Sequence, residues 1–203
     1  MSPRRSATEA RNTRSVILDR GVHVASVEGL EGLTIGRLAT DLGMSKSGLL
    51  GHFGSKEVLQ LAVVDTAAGV FVHEVSDRAT GVEPGLPRLR ALCEAWISYM
   101  ERGVFPGGCF FTAAVAEFDD REGPVREAVA RMIGLWRRDL TFQIRLAANA
   151  GQLPGGITTD TDADQLMFEL YGVMLSLNHS LRLDRDRAAV DRARRAVARL
   201  LGA

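Results

Sequence analysis

The sequence predicts an all-α protein, and three observations support this. Apolar residues recur three and four positions apart through most of the chain, which is the spacing of one face of an α-helix. No segment shows a sustained alternation of apolar and polar residues, so no β-strand is predicted. Breaks that contain glycine and proline divide the apolar pattern into about nine segments of helical length.

The composition is that of an ordinary globular protein. Of the 203 residues, 46% are hydrophobic and 25% are charged, and the formal net charge is zero. Residues 1–60 carry eight Arg or Lys and six Asp or Glu, a mild basic excess that permits contact with nucleic acid without requiring it. Cys93 and Cys109 form no CxxC pair, which fits a reduced compartment and does not predict a disulfide framework.

Targeting and membrane signals are not expected. No uninterrupted apolar run reaches the roughly 18 residues that suggest a membrane span. The N-terminus is basic and polar, and no hydrophobic segment follows it, so it does not resemble a secretory signal. We therefore expect a cytoplasmic protein with no membrane partner.

Three helices are predicted in the first part of the chain. The first covers residues 8–27 and the second covers residues 34–41. Gly43 can adopt the left-handed conformation that ends a helix. Ser45 is a suitable N-cap for the third helix, predicted over residues 46–52. Two helices joined by a short turn that contains glycine form a helix-turn-helix.

Six further helices are predicted after the third. Ser55 is a suitable cap for the next one, which is apolar on most faces and is therefore expected to be buried between other helices. Residues 80–87 are the clearest linker by glycine and proline content, and Pro124 suits the first turn of a long helix. The six helices are predicted over residues 56–76, 88–101, 109–118, 124–150, 162–183 and 187–201.

From Leu33 to Leu59 the sequence resembles the DNA-binding region of the TetR family of bacterial transcriptional regulators, and the run HFGSKE at residues 52–57 is the most specific part. The resemblance implies a three-helix helix-turn-helix DNA-binding domain at residues 1–55. It also implies a helical effector-binding and dimerisation domain at residues 56–203. The matching residues are Gly32, Thr34, Ile35, Leu38, Ala39, Leu42, Gly43, Met44, Ser45, Leu49, His52, Phe53, Ser55, Lys56, Glu57 and Leu59.

The resemblance also implies which residues face DNA. Hydroxyl and imidazole groups can donate to phosphates, and Lys46 can reach guanine O6 and N7 in the major groove. Lys56 lies at the start of a helix, where backbone N–H groups favour an anion. Leu50 replaces an aromatic residue, most often Tyr, that contacts phosphate in the family, so this contact is not expected here. The implied DNA-binding residues are Thr34, Arg37, Ser45, Lys46, Ser47, Gly48, Leu50, Gly51, His52 and Lys56.

The resemblance places an effector cavity in the C-terminal domain. Aromatic residues at helical spacing are more often plain core, but together they predict an apolar pocket for a neutral ligand. Tyr99, Cys109, Gln143, Asn178 and His179 are the candidate polar anchors. The predicted pocket residues are Trp96, Tyr99, Met100, Phe105, Cys109, Phe110, Trp136, Gln143, Phe168, Tyr171, Met174 and Asn178.

The last two helices each carry an apolar stripe. In the family, two such helices from each chain form a four-helix dimer interface, and the alternative is packing within one chain. The predicted interface residues are Leu166, Leu170, Val173, Leu177, Leu181, Val190, Ala193, Val197 and Leu200.

Catalysis and metal binding have little support in the sequence. Cys109 lies in the apolar run GGCFF without a nucleophile motif, and the histidines and cysteines lack the spacing of metal ligands. We therefore predict no enzyme activity, no catalytic residue, no metal and no cofactor.

These observations predict a DNA-binding transcriptional regulator. Its expected partners are double-stranded operator DNA, a small-molecule effector and a second copy of the chain. A two-fold dimer presents two recognition helices to successive major grooves, so the operator should be a pseudo-palindrome. The favoured interpretation is a repressor released by a small, mostly apolar effector. An activator without an effector, and a small all-α carrier or enzyme whose helix-turn-helix is only structural, remain alternatives at this point.

Overall fold

A computed structural model describes residues 3–154, 157 and 159–202, with side chains from residue 7 onward. Within these residues the chain is helical, without strands, and has nine α-helices, as predicted. A π-helical turn, Val72–Ser76, and a 3₁₀ turn, Asp77–Ala79, follow the fourth helix. The helices are α1 (Pro3–Gly32), α2 (Ile35–Asp41), α3 (Lys46–Phe53), α4 (Lys56–Phe71), α5 (Leu86–Glu101), α6 (Phe110–Phe118), α7 (Pro124–Asn149), α8 (Asp160–Arg182) and α9 (Ala189–Leu200).

Side-chain caps begin the helices of the predicted helix-turn-helix. The Thr34 hydroxyl accepts the Arg37 N–H at 3.0 Å at the start of α2. The Ser45 hydroxyl accepts the Gly48 N–H at 3.0 Å at the start of α3. These bonds satisfy backbone donors that the first turn of a helix cannot satisfy itself. The cap predicted at Ser45 is therefore confirmed.

Two helices end differently from the prediction. α1 runs to Gly32, beyond the predicted end at residue 27, with one non-helical residue at Gly29 (φ 79°). Glycine adopts positive φ at no steric cost, so the helix can bend there and continue. α4 ends at Phe71 and the chain continues as the π-helical turn. Apolar spacing does not distinguish a π turn from the α-helix that precedes it.

The described residues form two compact units. Unit 1 comprises the described residues up to Gly69 together with Phe105–Ala130. Unit 2 comprises Val70–Val104 together with the described residues from Arg131 onward. The division predicted after residue 55 follows the helix-turn-helix motif, whereas unit 1 also holds most of α4, all of α6 and the start of α7.

Close backbone approaches explain why unit 1 extends beyond the motif. A Cβ atom at Gly21 of α1 would lie 2.8 Å from Val63 Cγ2 of α4, so glycine lets the two helices approach closely. A Cβ atom at Gly107, just before α6, would overlap the Ser26 carbonyl of α1. The Gly107 N–H instead donates to the Ser26 hydroxyl at 3.2 Å. Packing on α1 thus holds the segment around α6 in unit 1.

Unit 2 is built on α5, α8 and α9, which pack against one another. Arg194 of α9 donates to the carboxylates of Glu94 and Glu101 of α5 at 2.8 and 2.7 Å. The Glu74 carboxylate accepts from Arg102 at 2.6 Å, and this bond lowers the Glu74 pKa below its ordinary range. These partly exposed ion pairs border an apolar core.

Among the described residues, the helical stretch Lys56–Ala79 could cross a membrane by its length and composition alone, and its mean hydropathy is 1.5. A core helix of a soluble protein meets the same criteria. Leu59, Val63 and Phe71 in this stretch are buried, as the sequence predicted for a core helix, whereas Val58 and Val72 are exposed.

Candidate nucleic-acid interface and ligand site

The exposed face of α3 brings together most of the predicted DNA-binding residues. Leu49 and Phe53 point into unit 1 and fix the rotation of the helix. The opposite face is exposed and consists of small or flexible side chains, with two glycines that leave the backbone accessible. The exposed residues at this face are Ser45, Lys46, Ser47, Gly48, Leu50 and Gly51. His52 is half-buried.

Arg14 of α1 holds the end of α3, a role that the sequence analysis missed. Its Nη1 donates to the His52 carbonyl at 2.7 Å. Its guanidinium lies 4.2 Å from the centre of the Phe53 ring, within cation–π range. The last carbonyls of a helix lack intrahelical donors, so an arginine here both caps and orients α3. Nothing in the sequence around Arg14 marks this contact, because the two residues lie 38 positions apart.

Two of the predicted DNA-facing cations, Arg37 and Lys56, have partners within unit 1. Arg37 pairs with Glu28 at 3.1 Å and lies 3.7 Å from Asp41. Lys56 donates to the Glu31 carbonyl at 2.9 Å and to the Glu31 carboxylate at 3.1 Å. Within the part of the chain that the structure describes, Lys46 forms no ion pair and is exposed. The cationic group most available to DNA on α3 is therefore Lys46.

A polar junction, which we define as Leu30, Glu31, Gln60 and Glu117, lies at the end of α1. The Glu117 carboxylate of α6 accepts the N–H groups of Leu30 at 2.7 Å and Glu31 at 2.8 Å. The buried Gln60 amide of α4 donates to the Leu30 carbonyl at 2.7 Å and to the Glu31 carboxylate at 3.2 Å. Hydrogen bonds from Gln60 and Lys56 lower the Glu31 pKa below its ordinary range. The junction ties three helices of unit 1 together.

The predicted pocket residues are divided between the two units. Phe105, Cys109 and Phe110 belong to unit 1, and the other nine belong to unit 2. Phe168 has a side chain 65% exposed, because it lies on the outer face of α8, so it does not line a pocket within the protomer. Trp96, Tyr99, Trp136 and Tyr171 of unit 2 lie close together, as described below.

One of the candidate polar anchors, Gln143, has a structural role. The Gln143 carbonyl oxygen accepts the Gly85 N–H at 3.0 Å, where α5 begins, and its side chain is buried.

Cys109 is buried in unit 1. Burial raises the pKa of the other cysteine, Cys93, to about 12, so it is a protonated, unreactive thiol at neutral pH. No group of three metal-ligating side chains occurs among the described residues.

Most of the predicted dimer-interface residues belong to the core of the protomer. Of its nine residues, six are buried within unit 2, because the apolar faces of α8 and α9 pack on each other and on α5. The buried six are Leu166, Leu170, Leu177, Val190, Ala193 and Val197, whereas Val173, Leu181 and Leu200 are half-buried. The outer faces of α8 and α9 carry different residues.

The outer face consists of an open groove and exposed apolar side chains. The groove, about 830 Å³ in volume, runs between α8 and α9. Its floor consists of small residues, including Gly172, Ser176 and Ala196, and Arg195 and Arg199 border it. Phe168 and Leu175 of α8 are exposed beside it. We call this surface the α8–α9 face.

Two family models match the sequence. Residues 85–197 match "Tetracyclin repressor-like, C-terminal domain", and residues 17–63 match "Bacterial regulatory proteins, tetR family". The second match includes α2 and α3 with their caps. No curated protein matches the chain.

Solved structures share the fold. A TetR transcriptional regulator from Chloroflexus aurantiacus J-10-FL is 24% identical, with a TM-score of 0.83 over 94% of this chain and 96% of that chain. A TetR-family regulator from Cytophaga hutchinsonii is 21% identical, with a TM-score of 0.80 over 95% of this chain and 94% of that chain. AibR, in complex with isovaleryl coenzyme A and operator DNA, is 21% identical, with a TM-score of 0.75 over 93% of this chain and 97% of that chain.

Proposed function

The chain belongs to the TetR family of bacterial transcriptional regulators, and we propose that it is a repressor that binds a pseudo-palindromic operator as a dimer and is released by a small effector. The observation that carries the proposal is the exposed face of α3. A short helix whose buried side is fixed, and whose other side carries mostly small side chains, suits insertion into the major groove. AibR, which shares the fold, is described with both DNA and an acyl compound, which supports a regulator of this kind.

Recognition of bases is assigned to Lys46 and recognition of the DNA backbone to the α2 and α3 caps. Lys46 begins α3 and can reach guanine O6 and N7. Thr34 and Ser45 lie at helix N-termini, where hydroxyl and backbone N–H groups suit phosphate oxygens. Lys56 strengthens phosphate binding near the start of α4 while its ammonium also holds Glu31. Leu50 supplies an apolar contact that suits a thymine methyl group.

The test compares a natural operator with a scrambled duplex of the same length. Fluorescence anisotropy would be measured with the DNA upstream of the gene, at two salt concentrations. We expect Lys46→Ala to weaken operator binding about ten-fold or more, and scrambled DNA much less, because a base contact is worth about 1–3 kcal/mol. Lys56→Ala should weaken both alike. Arg138→Ala, with the same charge change on an exposed part of α7, is the control. Equal losses on both duplexes for Lys46→Ala would refute the assignment.

Arg14 gives a second test of the DNA-binding surface. Arg14→Ala removes the hydrogen bond to the His52 carbonyl at the C-terminal end of α3 without removing a group proposed to contact DNA. We expect weaker operator binding with an unchanged salt slope, because the orientation of α3 is lost and no phosphate contact is. A reduced salt slope would instead mean that Arg14 itself contacts phosphate.

The proposed dimer uses the α8–α9 face, and the occupant is a second copy of the chain. Small residues on the groove floor let a neighbouring helix approach closely. Charge supports the same pairing. The first half of α8 carries Asp160, Asp164 and Glu169, of which the two aspartates also lie 3.0 and 4.0 Å from Arg145, and α9 presents Arg195 and Arg199. In a two-fold arrangement the acidic half of one α8 can face the basic α9 of the other copy.

Phe168→Glu tests the dimer. A charge buried in a helical interface is strongly unfavourable, so we expect a monomer in sedimentation-velocity experiments and a large loss of operator affinity. Val72 is also an exposed apolar residue of unit 2 but lies in the π-helical turn after α4, so the Val72→Glu protein should remain dimeric. A dimeric Phe168→Glu protein with normal DNA binding would place the interface elsewhere.

A further inference from the structure

An aromatic cluster occupies the interior of unit 2. We define it as Phe71, Trp96, Tyr99, Trp136 and Tyr171, which come from α4, α5, α7 and α8. The Trp96 and Trp136 rings meet edge to face, with centroids 5.4 Å apart. Phe71 lies edge to face with Trp136 at 5.1 Å and with Tyr99 at 5.7 Å.

Two hydrogen-bond donors in this cluster are unsatisfied. The side chains of Trp96 and Trp136 are 3% and 4% exposed. Neither indole N–H has a hydrogen-bond partner among the described residues. Indole is a donor only, and buried donors in native proteins are nearly always paired. An N–H directed at a neighbouring ring would compensate only in part. Two such donors on adjacent rings indicate that an acceptor from outside the chain completes the site.

The surroundings of the two indoles favour an uncharged acceptor. The other cluster members are aromatic and carry no charge at neutral pH. The Arg137 guanidinium lies 5.9 Å from the centre of the Tyr171 ring, and Arg137 is exposed to solvent. A carboxylate buried between the indoles would lack a compensating cation, which is costly. A carbonyl oxygen, with two lone pairs and no net charge, could accept from both indoles.

We propose that the effector is an uncharged, mostly apolar molecule with a carbonyl-type oxygen, held by the indole N–H groups of Trp96 and Trp136. The inference rests on the proposed function in one respect, namely that this unit takes a small-molecule effector. It adds the class of ligand and the two residues that select it. Ketones, esters and amides satisfy the requirement, whereas hydrocarbons and free acids do not.

The chain offers a direct readout, because these two are its only tryptophans. A ¹H–¹⁵N spectrum therefore contains two indole N–H signals. The probes are pairs that differ only in C=O against C=CH₂: cyclohexanone and methylenecyclohexane, acetophenone and α-methylstyrene, 2-undecanone and 2-methyl-1-undecene. We expect at least one ketone to move both indole protons downfield. That ketone should bind about ten-fold more tightly than its alkene, the magnitude of one or two net hydrogen bonds.

The matched control replaces both tryptophans with the sulfur isostere β-benzothienylalanine, which keeps the shape of indole and removes the N–H. The ketone and its alkene should then bind with about equal affinity. Trp96→Phe and Trp136→Phe, made singly, should each remove part of the preference for the ketone. Equal affinity for ketone and alkene, tighter binding of benzoate than of acetophenone, or unmoved indole signals with every ketone would overturn the inference.

Operator binding is measured on the same samples without probe. If ketones bind selectively but the protein does not discriminate operator from scrambled DNA, the proposed function fails and the ligand site stands. If operator binding is intact and no ketone is selected, the ligand inference alone fails.

Discussion

The polar junction of unit 1 and the aromatic cluster of unit 2 both contain buried polar side chains, Gln60 in the first and two tryptophans in the second, but these side chains are paired differently. In the junction, the Gln60 amide and the Glu117 carboxylate each make two hydrogen bonds within the chain. In the cluster, the indole N–H groups of Trp96 and Trp136 make none among the described residues. A network whose groups are hydrogen-bonded within the chain fixes one geometry. The two unpaired indole N–H groups gain a hydrogen bond only when a ligand supplies the acceptor.

The difference is consistent with what each region is proposed to do. The junction ties the end of α1 to α4 and α6, and α1 also carries Arg14, which caps α3. A surface that reads DNA needs helices held in one orientation. A ligand site gains by leaving a donor unpaired until the ligand arrives, because the new bond then forms only in the bound state. The comparison predicts that substitutions in the junction destabilise the protein and that removal of the indole donors does not.

The largest effect is expected for Glu117→Ala. The substitution leaves the N–H groups of Leu30 and Glu31 without an acceptor, and we expect a loss of about 3 kcal/mol in the free energy of unfolding. Glu117→Gln keeps one carbonyl oxygen and should lose about half as much. Glu122→Ala, at an exposed acidic residue nearby in sequence, is the control. Urea denaturation measures all three, and a change for Glu117→Ala no larger than for Glu122→Ala would remove the junction from the comparison.

Gln60→Leu tests the buried half of the junction and should cost about 2 kcal/mol. The change is close in volume, but the Leu30 carbonyl loses its buried donor. Asp65→Leu, on an exposed face of the same helix, separates this effect from a general response of α4 to leucine. Thermal denaturation is sufficient as the measurement. A Gln60→Leu protein as stable as the wild type would mean that water or another donor replaces the amide.

How much of this could be predicted from the sequence depends on the range of the interaction. The helices and the Ser45 cap follow from residues within one turn of each other, so pattern and propensity were sufficient. Glu117 reaches Leu30 across 87 positions, and Arg14 reaches His52 across 38. Nothing local marks either contact. The apolar stripes of α8 and α9 were found, but periodicity does not tell which apolar residues pack inside the protomer and which, like Phe168, remain outside.

Acidification should weaken the junction before it affects the cluster. Hydrogen bonds from Gln60 and Lys56 lower the folded pKa of Glu31, so its stabilising contribution is present above the ordinary glutamate pKa of about 4.3 and is lost as the pH falls through the folded pKa. The side chain is partly exposed, so we expect less than about 1 kcal/mol. The difference in unfolding free energy between wild type and Glu31→Gln should therefore shrink from pH 6 to about pH 3. A constant difference would mean that Glu31 acts through shape and not charge.

The smallest effect is expected in the aromatic cluster, and its sign is what distinguishes the two regions. Replacing Trp96 and Trp136 with β-benzothienylalanine removes two buried donors that have no partner and keeps the ring contacts. Removing an unsatisfied polar group is neutral or stabilising, so the free energy of unfolding without ligand should stay the same or rise by about 1 kcal/mol. The same replacement would be destabilising if the indoles had hidden partners. A clear loss of stability would therefore show that the cluster is saturated like the junction, and the physical contrast between the two units would disappear.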